Sequence, residues 1–427
     1  MNYTQNSKIR SITESTLIIG VDIAKHVQYA RAFDYRGIEL GKIKSFENTA
    51  EGFLMFQQWA KAIATENNKN SLIVGMEPTG HYWFNLAYFL KDMDIRVVLV
   101  NPSHVKKSKE LDDNSQTKND RKDAKTIAKL VIDGRYSVPY VPEGIYSEIR
   151  TAMNMRDDIS NALVRIKNKI AQWNDKYFPE FNEVFCNWEG KAALITLKNF
   201  PTPEKVIAKG SVQIAMEWKK EIKRGVGLSR ATKLVEAAKV SVGIKEGLRL
   251  AEKELKLILD QYDLYMNQYK ELESEITELT LQIPGAREML TINGVGIMTV
   301  AGFIGEIGDI TRFNHPSQIQ KLAGLNLIET SSGKHKGKTS ISKRGRSKLR
   351  SLLFRVTIPL VSKNNEFKLL HKYYTSRIEN PLKKKQSLIL LSCKLIRIFY
   401  AILTKKIKYN PEKLIKDANI VDLPNAA

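Results

Sequence analysis

The sequence predicts an N-terminal α/β domain followed by a chain that is mainly helical. Over residues 1–144, short apolar runs of strand character alternate with helical patterns, as in a sheet covered by helices. Residues 145–283 instead carry apolar side chains at alternating spacings of three and four, the pattern of a long coiled-coil arm. Residues 284–427 return to shorter helical patterns around a glycine turn and a basic loop. We therefore expect three regions with these boundaries.

The net charge indicates a polyanionic partner. The 427 residues include 68 Lys and Arg against 46 Asp and Glu, a formal net charge of +22. Nucleic acid is the leading candidate and a membrane surface the alternative. We find no run of about 20 apolar residues and no signal-peptide core, so we expect a cytoplasmic protein without a membrane partner. Cys186 and Cys393 lack the paired spacing of a zinc site.

Two acidic residues stand at the ends of predicted strands. Thr16–Asp22, Val27–Phe33 and residues 38–46 read as a three-stranded meander whose first strand ends in an acid. After a helix over residues 53–64, the strand Ser71–Met76 is followed directly by Glu77. A helix at residues 82–93, a fifth strand at 95–100 and a polar connector come next. Strand ends of this kind of sheet meet at the edge where such sheets build sites.

Two further acids lie three residues apart in a basic stretch. In a helix over Asp120–Ile132, Asp120 and Asp123 would share one face about a turn apart, where they could hold one divalent metal. The alternative is structural: Asn119 or Asp120 caps the helix and Asp123 is an ordinary acid of its first turn.

The four acids Asp22, Glu77, Asp120 and Asp123 on this order of elements resemble the ribonuclease-H-like fold in its RuvC version. Two Mg²⁺ ions about 4 Å apart need three or four carboxylates, and oxygen ligands suit Mg²⁺ better than zinc. The actin-like ATPase fold also opens with a meander and an Asp. The first 150 residues contain no Gly-rich phosphate loop of the kind that such a fold needs.

The arm contains two apolar stripes. The first, broken only by Arg156, runs from Ile149 to Tyr177, and the second runs from Leu248 to Ile283 without a break. One long helix cannot bury such a stripe alone. The sequence leaves open whether the two helices pair within one chain or between chains.

The C-terminal region contains a candidate phosphate-binding turn and a serine loop. Gly294-Val-Gly296 between apolar residues resembles a helix-hairpin-helix, although a plain helical turn fits the same residues. Further on, Ser331-Ser332-Gly333 precedes a basic, acid-free stretch with eight cations: Lys334, Lys336, Lys338, Lys343, Arg344, Arg346, Lys348 and Arg350. We expect this stretch to contact phosphates. We expect a basic amphipathic helix at residues 382–408 to serve both packing and phosphate contact.

Four motifs follow one another in a fixed order: Gly20-Val-Asp22-Ile-Ala-Lys25, Met76-Glu77-Pro-Thr-Gly-His-Tyr-Trp83, Val100-Asn-Pro-Ser103 and Asn119-Asp-Arg-Lys-Asp-Ala124. Together they resemble the DEDD-type insertion-sequence transposases, which are related to the Piv and MooV invertases. The resemblance covers residues 18–133 and, more loosely, 283–401. Leu327 stands nearest to the place of a proline that is usual in that family.

The resemblance implies a DNA recombinase with a Mg²⁺-binding acidic site. It also implies a serine nucleophile, Ser332 with Ser331 as the alternate, which forms a transient phosphoserine link to DNA. Implied partners are donor and target DNA, a structured guide RNA encoded by the element, and further copies of the chain, as dimers that join into tetramers. Two other functions remain open: a RuvC-like nuclease that uses water, and a basic nucleic-acid-binding protein whose acids are structural.

Overall fold

A computed structural model describes residues 5–112, 120–224, 227–329, 331–332, 335–337 and 339–416. The chain forms two compact units, Met1–Glu143 and Gly144–Ala427. The first unit is an α/β sheet domain, and the second is mostly helical.

Among the described residues of the first unit, six strands form one mixed sheet in the order β3-β2-β1-β4-β5-β6. β1 runs antiparallel to β2, and β2 to β3, whereas β1, β4 and β5 are parallel to one another. Their bounds are β1 Thr16–Asp22, β2 Val27–Phe33, β3 Glu39–Glu47, β4 Ser71–Met76, β5 Arg96–Val100 and β6 Tyr136–Ser137. This meander followed by parallel strands is consistent with a ribonuclease-H-like domain.

Helices cover both faces of this sheet. They are α1 Gln5–Arg10, α2 Ala50–Glu66, α3 Trp83–Asp92, α4 Pro102–Asp112 and α5 Asp120–Ile132. Leu17, Ile19 and Val21 of β1 share one apolar cluster with residues of α2 and α3, and Ile18 belongs to another with residues of α5. β1 is therefore apolar at successive positions, because both of its faces are buried.

The polar connector expected after the fifth strand is partly helical. Asn101 accepts a hydrogen bond through Oδ1 from the Ser103 backbone N–H at 2.9 Å, and Pro102 is the first residue of α4. Asn-Pro thus begins a helix here, with an N-cap and a proline in the first turn. The sequence did not predict β6, because two residues are too few to show the periodicity of a strand.

In the second unit, the two arm helices pack against each other within one chain. They are α6 Gly144–Tyr177 and α12 Leu248–Leu281. Trp173 donates from Nε1 to the Ala251 carbonyl at 2.8 Å, and Arg156 contacts Glu273 at 2.9 Å, so the helices are antiparallel. Arg156, which breaks the first stripe, also lies over the ring of Tyr269. The stripe on α12 is buried or half-buried along its length.

Between the arm helices in sequence, the described residues form five short helices: α7 Phe181–Val184, α8 Lys191–Asn199, α9 Pro203–Lys209, α10 Ser211–Glu221 and α11 Leu228–Lys239. They form one apolar cluster with the adjoining parts of α6 and α12. Buried Trp218 donates from Nε1 to Thr196 Oγ1 at 3.0 Å, which satisfies the indole N–H inside this cluster.

The rest of the second unit is built around helices α13 Ala286–Met289, α14 Ile297–Ile307, α15 Pro316–Leu322, α16 Ser347–Lys363, α17 Asn365–Ser376, α18 Lys384–Lys405 and α19 Pro411–Lys416. The part of this segment that the structure describes contains four short strands in two antiparallel pairs: β7 Leu327–Ile328 with β10 Ser340–Ile341, and β8 Ser331–Ser332 with β9 His335–Lys336. Gly294 has a φ of +97°, so the turn between α13 and α14 favours glycine there.

One helix corrects the expectation that no membrane-length apolar stretch exists. Among the described residues, α18 alone is long and apolar enough by length and composition to cross a membrane. Its Leu391, Leu395, Ile396 and Phe399 are fully buried in the core of the second unit. A buried core helix meets the same criteria as a membrane span, and its apolar character here serves packing.

Candidate active site

Two of the predicted site residues lie side by side at one edge of the sheet. Asp22 is the last residue of β1, and Glu77 follows the last residue of β4. β1 and β4 are parallel neighbours in which Val21 faces Met76. One residue further along each strand, the chain therefore brings Asp22 and Glu77 to adjacent positions, and both side chains are half-buried.

Glycines allow α5 to approach this part of the sheet closely. A Cβ on Gly20 would lie 2.0 Å from the Ala124 carbonyl oxygen and 2.8 Å from the Ala128 nitrogen. A Cβ on Gly75 of β4 would lie 2.5 Å from Val131 Cγ2. The backbone of α5 thus rests directly on β1, which no side chain at position 20 would permit.

This contact determines where the acids of α5 stand. Asp123 directly precedes Ala124, which touches Gly20, and Gly20 is two residues before Asp22. The Asp123 side chain is only 7% exposed. Asp120 is the first residue of α5, but its side chain lies outside the described residues. The structure therefore brings the chain positions of Asp22, Glu77 and Asp123 to one region.

The donor set fits a hard divalent cation. Asp22, Glu77 and Asp123 offer only carboxylate oxygens, the ligands of Mg²⁺. Among the side chains that the structure describes, no three His, Cys, Asp or Glu are arranged to hold a metal ion together. Asp120 is not among those side chains, so the predicted four-acid set stays a prediction.

The serine loop belongs to the second unit. Ser331 pairs with Lys336 and Ser332 with His335 in the antiparallel pair β8–β9. The side chains of these four residues lie outside the described set, as do Lys334 and Lys338 entirely. The predicted role of Ser332, with Ser331 as the alternate, stays a prediction.

Three of the predicted phosphate-binding cations also contact the protein itself. Arg346 donates to the Glu306 carbonyl at 2.9 Å, and Arg350 donates to the Ala323 carbonyl at 2.9 Å. Lys348 lies 3.0 Å from an Asp157 carboxylate oxygen. Lys343 and Arg344 are exposed. These contacts give Arg346, Arg350 and Lys348 a structural function beside any contact with phosphate.

Sequence reasoning missed Gly20 as part of the site. Its signal was present, because a glycine inside an otherwise apolar strand often marks a close backbone approach. Which helix approaches could not be read from the strand, since Ala124 is about a hundred residues away in sequence.

Two family models match this chain. The DEDD transposase model of IS110 elements, described as "Transposase", matches residues 19–179, and the "Transposase IS116/IS110/IS902 family" model matches residues 286–372. The first match covers the sheet domain from Ile19 onward and all of α6. The "Insertion element IS116 uncharacterized 44.8 kDa protein" of Streptomyces clavuligerus is 23% identical over 295 residues, which cover 69% of this chain and 73% of that protein.

The first match begins just before Asp22 and includes Glu77, Asp120 and Asp123. The second match includes the serine loop and the basic residues after it. The chain belongs to the IS110/IS116 family of DEDD transposases.

Proposed function

We propose that this transposase cleaves and rejoins DNA with Asp22, Glu77, Asp120 and Asp123 as ligands of Mg²⁺ in a two-ion site. The observation that carries the proposal is the adjacency of Asp22 and Glu77 at the ends of parallel strands, with α5 seated on Gly20 beside them. A DEDD transposase family implies a divalent-metal-dependent nuclease. Bound Mg²⁺ would stabilise the negative charge that develops on a phosphodiester during cleavage.

The four acids have different tasks in this proposal. Asp22 and Glu77 stand at strand ends, where the sheet fixes their backbone positions. Asp123 is buried, and burial of a carboxylate is costly unless cations or hydrogen bonds offset it. A Mg²⁺ ion bound next to Asp123 would offset part of that cost, and Asp120, one turn earlier on α5, would complete the ligand set.

Ser332 is the proposed nucleophile, with Ser331 as the alternate. Its Oγ would form a bond to phosphorus while the bond from phosphorus to a deoxyribose oxygen breaks, and the serine proton would end on the departing hydroxyl. The reverse attack by a DNA hydroxyl restores the serine and rejoins the strand. A serine hydroxyl is weak at neutral pH, so this step needs a polarised phosphate or a base.

The partners follow from the charge and the family resemblance. A net charge of +22 suits binding of donor DNA, target DNA and a structured guide RNA. The cations from Lys334 to Arg350 would hold the strand near the serine, and dimers would join into tetramers. The protein would act in the cytoplasm. Sequencing the RNA that copurifies with the expressed chain tests the guide-RNA part directly.

The central test compares Asp123→Asn with the wild-type protein in a strand-cleavage assay on the ends of the parent element. We expect cleavage to be lost while nucleic-acid binding and the melting temperature change little, because the amide keeps the shape and loses the charge. Asp133→Asn is the matched control, since Asp133 follows the same helix and is exposed. Undiminished cleavage by Asp123→Asn would remove the acid from the site.

A further inference from the structure

A cleft of about 530 Å³ lies in the second unit between α6, α14 and α16. Among the described residues that line it, none belongs to the proposed catalytic set. Its walls are mixed: apolar side chains form one part, and Gly294, Gly302 and Gly305 leave room beside them. The apolar part is formed by Met153, Met298, Leu352, Val356 and Pro359. Its volume is in the range of small-molecule sites.

The polar part of the cleft is cationic. The described lining residues include four cations and two carboxylates, a net charge of +2: Arg150, Arg156, Lys348 and Arg355, with Asp157 and Glu306. Both carboxylates have cationic partners, since Asp157 contacts Lys348 at 3.0 Å and Glu306 contacts Arg346 at 3.4 Å. The acids therefore do little to repel an anion from the cleft.

Three of the four cations already contact the protein itself, and Lys348 does so through Asp157. Arg150 donates to the carbonyls of Gly305 and Glu306 at 2.8 and 3.2 Å, at the C-terminal end of α14. Arg156 contacts Glu273 on α12. Arg355 differs: it is exposed, and the described residues give it no carboxylate partner within ion-pair distance. Its guanidinium is thus available to a ligand at the mouth of the cleft.

We infer that this cleft binds one unpaired nucleotide of a nucleic acid, with the base against the apolar wall and the phosphate at Arg355. The inference rests on the proposed function, which supplies the nucleic acid. Unpaired bases are commonly held between apolar side chains or arginine planes, whereas a paired base is enclosed in its stack. Methionine side chains adapt well to such flat ligands.

Lys348 connects the cleft with the basic segment that precedes it. It lines the cleft and contacts Asn154 Oδ1 at 3.0 Å as well as Asp157. Arg344 and Lys343 are exposed only a few residues earlier on the chain. A nucleic-acid strand bound along that segment could therefore contact basic side chains continuously up to the cleft.

The test measures binding of the full-length chain to labelled oligonucleotides of one sequence: single-stranded DNA, single-stranded RNA, and each duplex with or without one unpaired nucleotide. Arg355→Ala should weaken binding of the unpaired forms about tenfold, the scale of one charged hydrogen bond to phosphate, and lower the salt slope by about one. Ser351→Trp, which projects a large ring from the cleft lining, should also weaken binding of the unpaired forms but leave the salt slope unchanged, because it removes no charge. Whichever nucleic acid wild type binds more tightly, DNA or RNA, is the source of the unpaired nucleotide.

Two matched variants on α16 serve as controls. Lys363→Ala removes an exposed cation, and Ser362→Trp adds a ring, both outside the cleft. Equal losses for Arg355→Ala and Lys363→Ala, or equal losses on fully paired duplexes, would overturn the inference. Strand cleavage is followed in the same preparations. If wild type fails to cleave DNA but binds the unpaired forms through Arg355, the result counts against the proposed function alone. If wild type cleaves DNA but Arg355→Ala binds the unpaired forms normally, the result counts against the cleft alone.

Discussion

A Cβ atom on Gly20 would lie 2.0 Å from the carbonyl oxygen of Ala124. Real Cβ atoms do not approach a backbone oxygen so closely, so any other residue at position 20 must push α5 away from β1. α5 carries Asp120 and Asp123, and β1 ends at Asp22. The spacing of the acids therefore depends on a position that itself has no side chain.

Gly20→Ala should lower both stability and cleavage. We expect the free energy of unfolding to fall by about 1–3 kcal/mol, the usual cost of overpacking, and strand cleavage to fall more than stability alone explains. Thermal melts and a cleavage assay below the melting transition measure the two effects. Gly227→Ala is the control, because its φ is −163° and no described atom lies within 4 Å of an added Cβ. Normal cleavage by Gly20→Ala would show that the position of α5 does not matter for the chemistry.

The packing of α6 against α12 within one chain leads to a second prediction. Ile276 is fully buried, so Ile276→Ala should cost about 2–5 kcal/mol of unfolding free energy. Leu264, on the same helix but 54% exposed, should cost less than about 0.5 kcal/mol when changed to Ala.

Light scattering tests whether the stripe on α12 packs within one chain or also joins two chains. If the stripe packs only within the chain, the Ile276→Ala protein that remains folded keeps the wild-type oligomeric state, whatever that state is. A shift toward monomers in Ile276→Ala, absent in Leu264→Ala, would place the stripe between chains and contradict the arrangement described here.

The two cysteines should differ in reactivity. Burial raises the pKa of the Cys393 thiol to about 11, so its reactive thiolate is scarce at pH 8. Cys186 is exposed. We expect iodoacetamide to modify Cys186 in the native protein and Cys393 only after denaturation, as read by peptide mass spectrometry. Equal modification of both in the native state would mean that the core around α18 opens readily.

The sequence predicted the sheet domain because its strands are apolar runs with acids at their ends. Asp22 and Glu77 could be placed at one edge from strand order alone, and the helix Asp120–Ile132 was predicted with the bounds that the structure has. Positions set by long-range contacts could not be predicted. The closeness of Gly20 to Ala124 depends on which helix covers β1, and no local pattern contains that information.

The arm shows the same limit. The apolar stripes predicted two long helices, and α6 and α12 confirm them, but the choice of partner was not readable. Arg156 looked like a break in the stripe, whereas the structure gives it Glu273 and the ring of Tyr269 as partners. The cleft was invisible for a related reason: Arg150 and Arg355 come together only through the packing of α6, α14 and α16.

The nucleophile gives the last prediction. If Ser332 attacks DNA, Ser332→Ala should lose both strand exchange and the covalent protein–DNA adduct that remains after denaturation, while Ser331→Ala keeps them. The adduct is detected as labelled DNA that migrates with the denatured protein. Ser331→Ala is the closest possible control, because it makes the same change one residue away in the strand β8.

A third variant tests whether His335 acts as the general base for the serine. Backbone pairing sets His335 opposite Ser332, but the sequence shows no Ser-His-Asp pattern, so we expect His335→Gln to keep the adduct. An adduct that survives Ser332→Ala and is lost in Ser331→Ala would move the nucleophile to Ser331. The double variant, Ser331→Ala with Ser332→Ala, cannot form a phosphoserine bond. If it still cleaves DNA without an adduct, the attacking group is water.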